Sequence, residues 1–205
     1  EEDIEFDLVY KRLSEKEYYN PFIEEFLLQF KPIFKPTNHL IIKGSEHFIS
    51  LPNRYDKLYK NSTLLNIYDI RNALDEIEAM VDKRYDFITG DFPVSGKRSK
   101  VYYDKKQYVL PKHLKLIYNS CKVLSDNGIG LYVINPMMWT VEWKKFIAMM
   151  KDSGLYISGI FNTPPAPLSS IQFVIIFVTK NPDEKVFVAE IPDVNSFSPV
   201  FKNYF

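Results

Sequence analysis

The sequence predicts one α/β domain: a mostly parallel sheet, helices on both of its faces, and an antiparallel arrangement at one end. Three observations predict it. Short runs of apolar, β-branched and aromatic residues alternate with stretches of helical periodicity. Two of the helical stretches run into a glycine, Gly128 and Gly154, a common helix stop. The last two strand-like runs, "IQFVIIFVTK" and "KVFVAEI", have only "NPDE" between them. A link that short joins antiparallel neighbours, because a parallel crossover needs a dozen residues or more.

The elements follow in order. Residues 15–36 form an opening helix, with Phe22, Phe26 and Phe30 at four-residue spacing, Asn20-Pro21 as a start signal, and Pro32 and Pro36 marking its end. "HLIIKG" is a strand ending at Gly44, and "STLLNIYDI" a strand ending near Asp69. "RNALDEIEAMVDK" has helical spacing at Ala73, Ile77, Met80 and Val81. "YDFITGD" is a strand, "LPKHLKLIYNSCKVLSDNG" an amphipathic helix closed by Gly128, and "IGLYVIN" a buried strand. "TVEWKKFIAMMKDSG" is a helix, and "LYISGIF" opens the closing strands. "NTPPAPLSS" shapes a rigid loop before the next strand. The α/β core spans 40–191. The tail, 192–205, loses periodicity and is expected to pack over the sheet or lead into a further domain.

Composition narrows the function classes. The 205 residues are 46% hydrophobic and 16% aromatic, enough for a sizeable core. Lys+Arg and Asp+Glu are both 26, so overall charge draws the chain neither to nucleic acid nor to an anionic membrane. One cysteine, Cys121, excludes an internal disulfide, and its place in "LKLIYNSCKVL" is that of a buried core thiol. His39, His47 and His113 lack ligand spacing, so no metal site is expected. No apolar run has the length of a membrane span. The acidic opening "EEDIEFD", without an initiator Met, points to a piece excised from a longer protein of the cytoplasm.

In open α/β sheets, ligands sit outside the carboxyl ends of the strands. The ends to inspect are therefore Gly44-Ser45, Asp69, Asp91 and Asn135-Pro136. Taken in order with "YNPFIEEFLLQFKPIF", "LIIKGSEHFI", "NIYDIRNALDEI", "YDFITGDFPV" and "GLYISGIFNTPPAPLSSIQFVIIFVTKNPDEKVFVAEI", they resemble the methyltransferases that modify adenine N6 in DNA. The modification subunits of restriction systems are the nearest likeness, over roughly Tyr19 to Ile191. The resemblance implies a Rossmann-like methyltransferase three-layer sandwich with S-adenosylmethionine as cofactor. It places Gly44 and Ser45 in the cofactor loop, Asp69 on the cofactor ribose, and Asp91 and Pro93 in the catalytic motif.

The departures from the family pattern bear on activity. Glu46 and His47 stand where the loop should have further glycines, and their side chains would crowd the cofactor cleft. The family motif reads Asn/Asp-Pro-Pro-aromatic, whereas here Asp91 is followed by Phe92, Pro93 and Val94. A valine supplies no stacking face for a flipped-out base.

After this motif, residues 97–112 carry Lys97, Arg98, Lys100, Lys105, Lys106 and Lys112 against Asp104, with Tyr102, Tyr103 and Tyr108 interleaved. In a DNA methyltransferase such a loop would contact phosphate and bases, but a solvated loop has the same composition. "NPMMW" follows the wrong strand for the chemistry, and its Met137, Met138 and Trp139 are expected to pack under the next helix. The leading expectation is a degenerate, non-catalytic member acting as a scaffold or recognition module with other domains or subunits, its cofactor site empty. Two alternatives stay open: a working N6-adenine methyltransferase using Asp91 and Pro93, and an unrelated α/β regulatory domain.

Overall fold

The structure, a computed structural model, describes residues 21–43, 62–66, 70–80, 82–91, 98–103, 105–134, 141–165, 172–182 and 185–205. The elements are α1 (Pro21–Phe34), β1 (His39–Lys43), β2 (Ser62–Asn66), α2 (Ile70–Ala79), β3 (Tyr85–Asp91), β4 (Arg98–Tyr103), β5 (Lys106–Pro111), α3 (Lys112–Lys122), β6 (Leu124–Ile134), α4 (Val141–Asp152), β7 (Tyr156–Pro165), β8 (Gln172–Thr179) and β9 (Phe187–Glu190). A 3-10 turn, Val194–Ser196, then leads into α5 (Phe197–Tyr204). None of the described helices is long and apolar enough to cross a membrane.

Seven of the described strands form one sheet, in the order β2-β1-β3-β6-β8-β7-β9. Neighbours from β2 to β6 are parallel. β8 then runs antiparallel between β6 and β7. The expected antiparallel character at one end is therefore present, but not through the pairing expected. β9 does not pair with β8. It passes beyond β7 and pairs with it in parallel, Gly159 opposite Phe187 through Asn162 opposite Glu190. The short-link rule governs strands that become neighbours, and here β7 already occupies the place beside β8.

Both sheet faces are apolar, as buried strands require. Tyr132, Ile134, Val174, Ile176 and Val178 face α2, α3 and α4, which contribute Ile77, Leu114, Ile117, Trp143, Phe146 and Met149. Their neighbours Leu131, Val133, Phe173, Ile175 and Phe177 face the other way, onto α1 and α5. The result is a three-layer sandwich. In α1 the four-residue spacing holds, burying Phe22, Phe26 and Phe30 along with Ile23 and Leu27. Pro32 lies inside the helix rather than at its end, which comes at Phe34.

Two further expectations are corrected. Gly128 does not close a helix. α3 stops at Lys122, because the Val123 carbonyl accepts from the Tyr85 N–H at 2.9 Å and Leu124 pairs with Tyr85, drawing the chain straight into the sheet. A Cβ at Gly128 would lie 3.0 Å from the Asp86 carbonyl, so the glycine permits a close strand crossing. Gly154, by contrast, does close α4, at φ +72°. Asn162 to Pro165 continue β7 instead of forming a loop, with the Thr163 hydroxyl donating to the Phe173 carbonyl at 2.8 Å. The tail is ordered as α5. Asp193 caps its approach by accepting from the Asn195 and Ser196 N–H groups, and Phe197 and Phe201 pack onto the sheet as expected.

Candidate functional site

The site follows from strand order. From β1 the chain moves to β2 on one side, while β3 lies on the other and leads away to β6. β1 and β3 thus flank the point where the winding reverses, where such sheets open a crevice at their carboxyl ends. Register brings those ends level. Lys43 stands opposite Asp91 in β3 and opposite Asn66 in β2, and Asp91 stands opposite Val133 in β6. Adjacent strands lie about 4.8 Å apart. The segments beginning at residues 44, 67, 92 and 135 therefore leave the same edge of the sheet, side by side.

This arrangement brings Asp91, at the end of β3, to the switch point. Gly44, Ser45, Asp69, Pro93 and Lys97 lie outside the described residues, as does "NPMMW". Each except Lys97 directly follows, or follows within three residues, a strand end on that edge. The basic stretch is not an irregular loop. Arg98, Lys100 and Lys106 lie on the β4–β5 hairpin, with Lys105 at its tip (φ +61°). The alternation was present in the sequence: Val101 and Leu110 are buried, while Lys100, Tyr102 and Val109 are exposed.

Sequence reasoning passed over Glu142. Its carboxylate accepts from the Arg98 guanidinium as an ion pair, tying the hairpin after β3 to the first turn of α4 after β6. Residues 44 apart give no spacing signal for such a contact. The pair links the hairpin that follows β3 to the helix that follows β6.

A second polar cluster lies at the opposite edge, where β1 and β2 begin. Lys31 Nζ donates to Ser62 Oγ at 3.1 Å, Ser62 Oγ lies 3.1 Å from His39 Nδ1, and His39 Nε2 lies 3.0 Å from Thr89 Oγ1. The Ser62 hydroxyl thus bridges the Lys31 ammonium and one ring nitrogen, and Thr89 engages the other. Burial, and then the positive charge of Lys31, hold the His39 pKa well below its ordinary 6.5. His39 is therefore neutral in the fold and titrates near 6.5 when unfolded. The stability this supplies is complete above pH 6.5 and declines as pH falls below that value, by at most about 1.4 kcal/mol per pH unit. Between pH 6.5 and 5, the wild-type chain is expected to lose up to about 1.6 kcal/mol more than His39→Gln. Urea midpoints across that range check it; parallel pH profiles would show that His39 is not held neutral.

Cys121 is a buried thiol, as expected from its spacing, and burial raises its pKa to about 12. A thiol so protonated is no nucleophile.

No family model matches the chain, and no curated protein matches it. Solved structures do. A protein from Listeria monocytogenes described as a class I S-adenosylmethionine-dependent methyltransferase aligns with TM-score 0.56 at 16% identity, over 90% of this chain and 68% of that one. A type I restriction enzyme modification subunit from Vibrio vulnificus aligns with TM-score 0.55 at 10% identity, over 90% of this chain. The methyltransferase subunit of a type I restriction-modification system from Streptococcus thermophilus aligns with TM-score 0.54 at 12% identity, over 91% of this chain. The chain spans about half the length of these two subunits, 52% of each. At such identities the likeness is one of fold: the sandwich is that of Rossmann-like methyltransferases.

Proposed function

We propose that the chain is a degenerate methyltransferase-like domain of the N6-adenine DNA methylase type, which serves as a scaffold or recognition module rather than as a catalyst. The observation that carries the proposal is the contrast between crevice and contents. The switch point between β1 and β3 is built in full register. The residues that follow those strands do not suit a bound S-adenosylmethionine. Glu46 and His47 add bulk where a nucleotide-type cofactor needs bare backbone. After Asp91, the Phe92-Pro93-Val94 sequence lacks both the first proline and the aromatic. The fold supplies the frame, and function rests with the site grafted on it.

One observation favours a second reading, that of a working enzyme. Asp91 keeps its place at the end of β3, level with the end of β1. In that reading Asp91 and the Pro93 carbonyl accept hydrogen bonds from the adenine amino group, and Asp69 accepts from the ribose hydroxyls.

Calorimetric titration of S-adenosylmethionine, and of its demethylated product, into the purified chain separates the two. The expected result is no heat, and no rise in Tm, at millimolar ligand. Micromolar binding that disappears in Asp69→Ala would overturn the degenerate reading and direct the next assay to methyl transfer onto adenine-containing DNA.

A further inference from the structure

We propose that the outward face of the β4–β5 hairpin is a docking surface for an unpaired nucleic-acid strand. The proposal does not rest on cofactor binding, and its test uses none.

The hairpin is two-faced. Cross-strand partners share a face in an antiparallel pair. Val101 pairs with Tyr108, and with Leu110 they turn inward: Val101 and Leu110 are buried, with Tyr108 packed against the same core. Arg98 with Pro111, Lys100 with Val109, and Tyr102 with Gln107 make the outward set. There Tyr102 is 63% exposed and Val109 44%. Lys100, Gln107 and the two exposed residues lie open, and only at the base, through Arg98 and Glu142, does this face meet α4.

Charge identifies the occupant. The chain is balanced overall, yet residues 97–112 hold six Lys or Arg against one Asp, so the remainder is net acidic. Arg98, Lys100 and Tyr102 follow one another on the outward side of β4, with Lys105 exposed at the tip, while Lys106, in register with Tyr103 and in alternation with Tyr108 and Leu110, belongs to the other face. Glu142 engages Arg98 at the base, which leaves Lys100 and Lys105 as the main cations near the tyrosine. A row of cations beside an exposed aromatic suits a phosphate backbone whose bases stack on the ring. The ring is also held: the Tyr102 hydroxyl donates to Gln107 Oε1 on the partner strand at 3.3 Å. Stacking requires a base with a free face. That favours a single strand over a duplex, whose bases already stack on one another, and a row of lysines alone would suit either.

Fluorescence anisotropy of labelled 20-nucleotide oligomers, single-stranded and duplex, with the full chain at several salt concentrations tests the proposal. The single strand is expected to bind more tightly than the duplex. Tyr102→Ala should weaken single-strand binding about tenfold and leave duplex binding unchanged, while Tyr102→Phe should retain it. Lys100→Ala combined with Lys105→Ala should reduce the slope of log K against log salt by about 1.4. All these side chains are exposed, so an unchanged Tm verifies that each variant is folded. Three outcomes would overturn the proposal: no salt-dependent binding, equal losses on single strand and duplex, or equally effective competition by poly-glutamate, which would mark the surface as one for an acidic protein.

Discussion

Phe26→Ala is expected to destabilise the domain by about 3–5 kcal/mol. Phe26 is fully buried at the centre of α1. Its ring lies 4.9 Å from Phe201, 5.4 Å from Phe197, 5.5 Å from Phe161 and 6.1 Å from Phe177, in edge-on arrangements. Such pairs add to the area term. The four partners belong to β7, β8 and α5, so one truncation loosens three elements at once. The surrounding rings are stiff and cannot collapse into the space, which puts the cost at the upper end for a core deletion. For a domain of ordinary stability this is a third or more of the total. Urea unfolding followed by circular dichroism measures it, with Phe26→Leu expected to lose only about 1–2 kcal/mol. A loss below about 1 kcal/mol for the alanine variant would mean that α1 is not seated on the sheet in this way.

Gly130→Ala is expected to cost about 1–3 kcal/mol, although it adds a single methyl group. The new Cβ would stand 2.7 Å from Tyr132 Cε2 and 3.0 Å from its hydroxyl oxygen. The ring cannot step aside. It is fully buried, and its hydroxyl is fixed from two sides. Ser120 Oγ already donates to the Ile117 carbonyl at 2.8 Å, so it accepts from Tyr132 at 2.7 Å. The Cys121 thiol lies 3.3 Å from the same oxygen and donates to it. Overpacking here strains the strand or breaks that chain. A double-mutant cycle makes the cause visible: with Tyr132→Leu the obstructing ring atoms are gone, and Gly130→Ala should then be nearly neutral. A coupling of about 1–3 kcal/mol is expected. Additive losses would place the cost in the backbone of β6 instead.

How far the sequence could be read depended on the range of the interaction that decides each element. β3 has the bounds of "YDFITGD" because alternation and apolar content agree over the whole run. The buried stripe of α1 was equally plain, since four-residue spacing is local. The end of α3 was not. Gly128 is a sound local stop, but a strand pairing with Tyr85, nearly forty residues away in sequence, takes the chain first. The hairpin was hidden by its lysines, which mask the alternation of Val101, Tyr108 and Leu110. β9 was misassigned because loop length says how far a chain can travel and not which neighbour is vacant. At the site, the strand ends and their order could be reasoned out from the βα pattern. The ion pair of Arg98 with Glu142 could not, because it depends on where two separate segments come to rest.

The seating of α1 against α5 has a consequence for how this chain is made. The aromatic stripe around Phe26 finds its partners Phe197 and Phe201 about 170 residues later in synthesis. At 5–20 residues per second, that is roughly 10–35 s during which the side of the stripe that α5 covers has no partner, even once β3, β7 and β8 are available. Over that interval the nascent chain displays the kind of surface that chaperones bind and that aggregates grow from. α5 is the element that completes its cover.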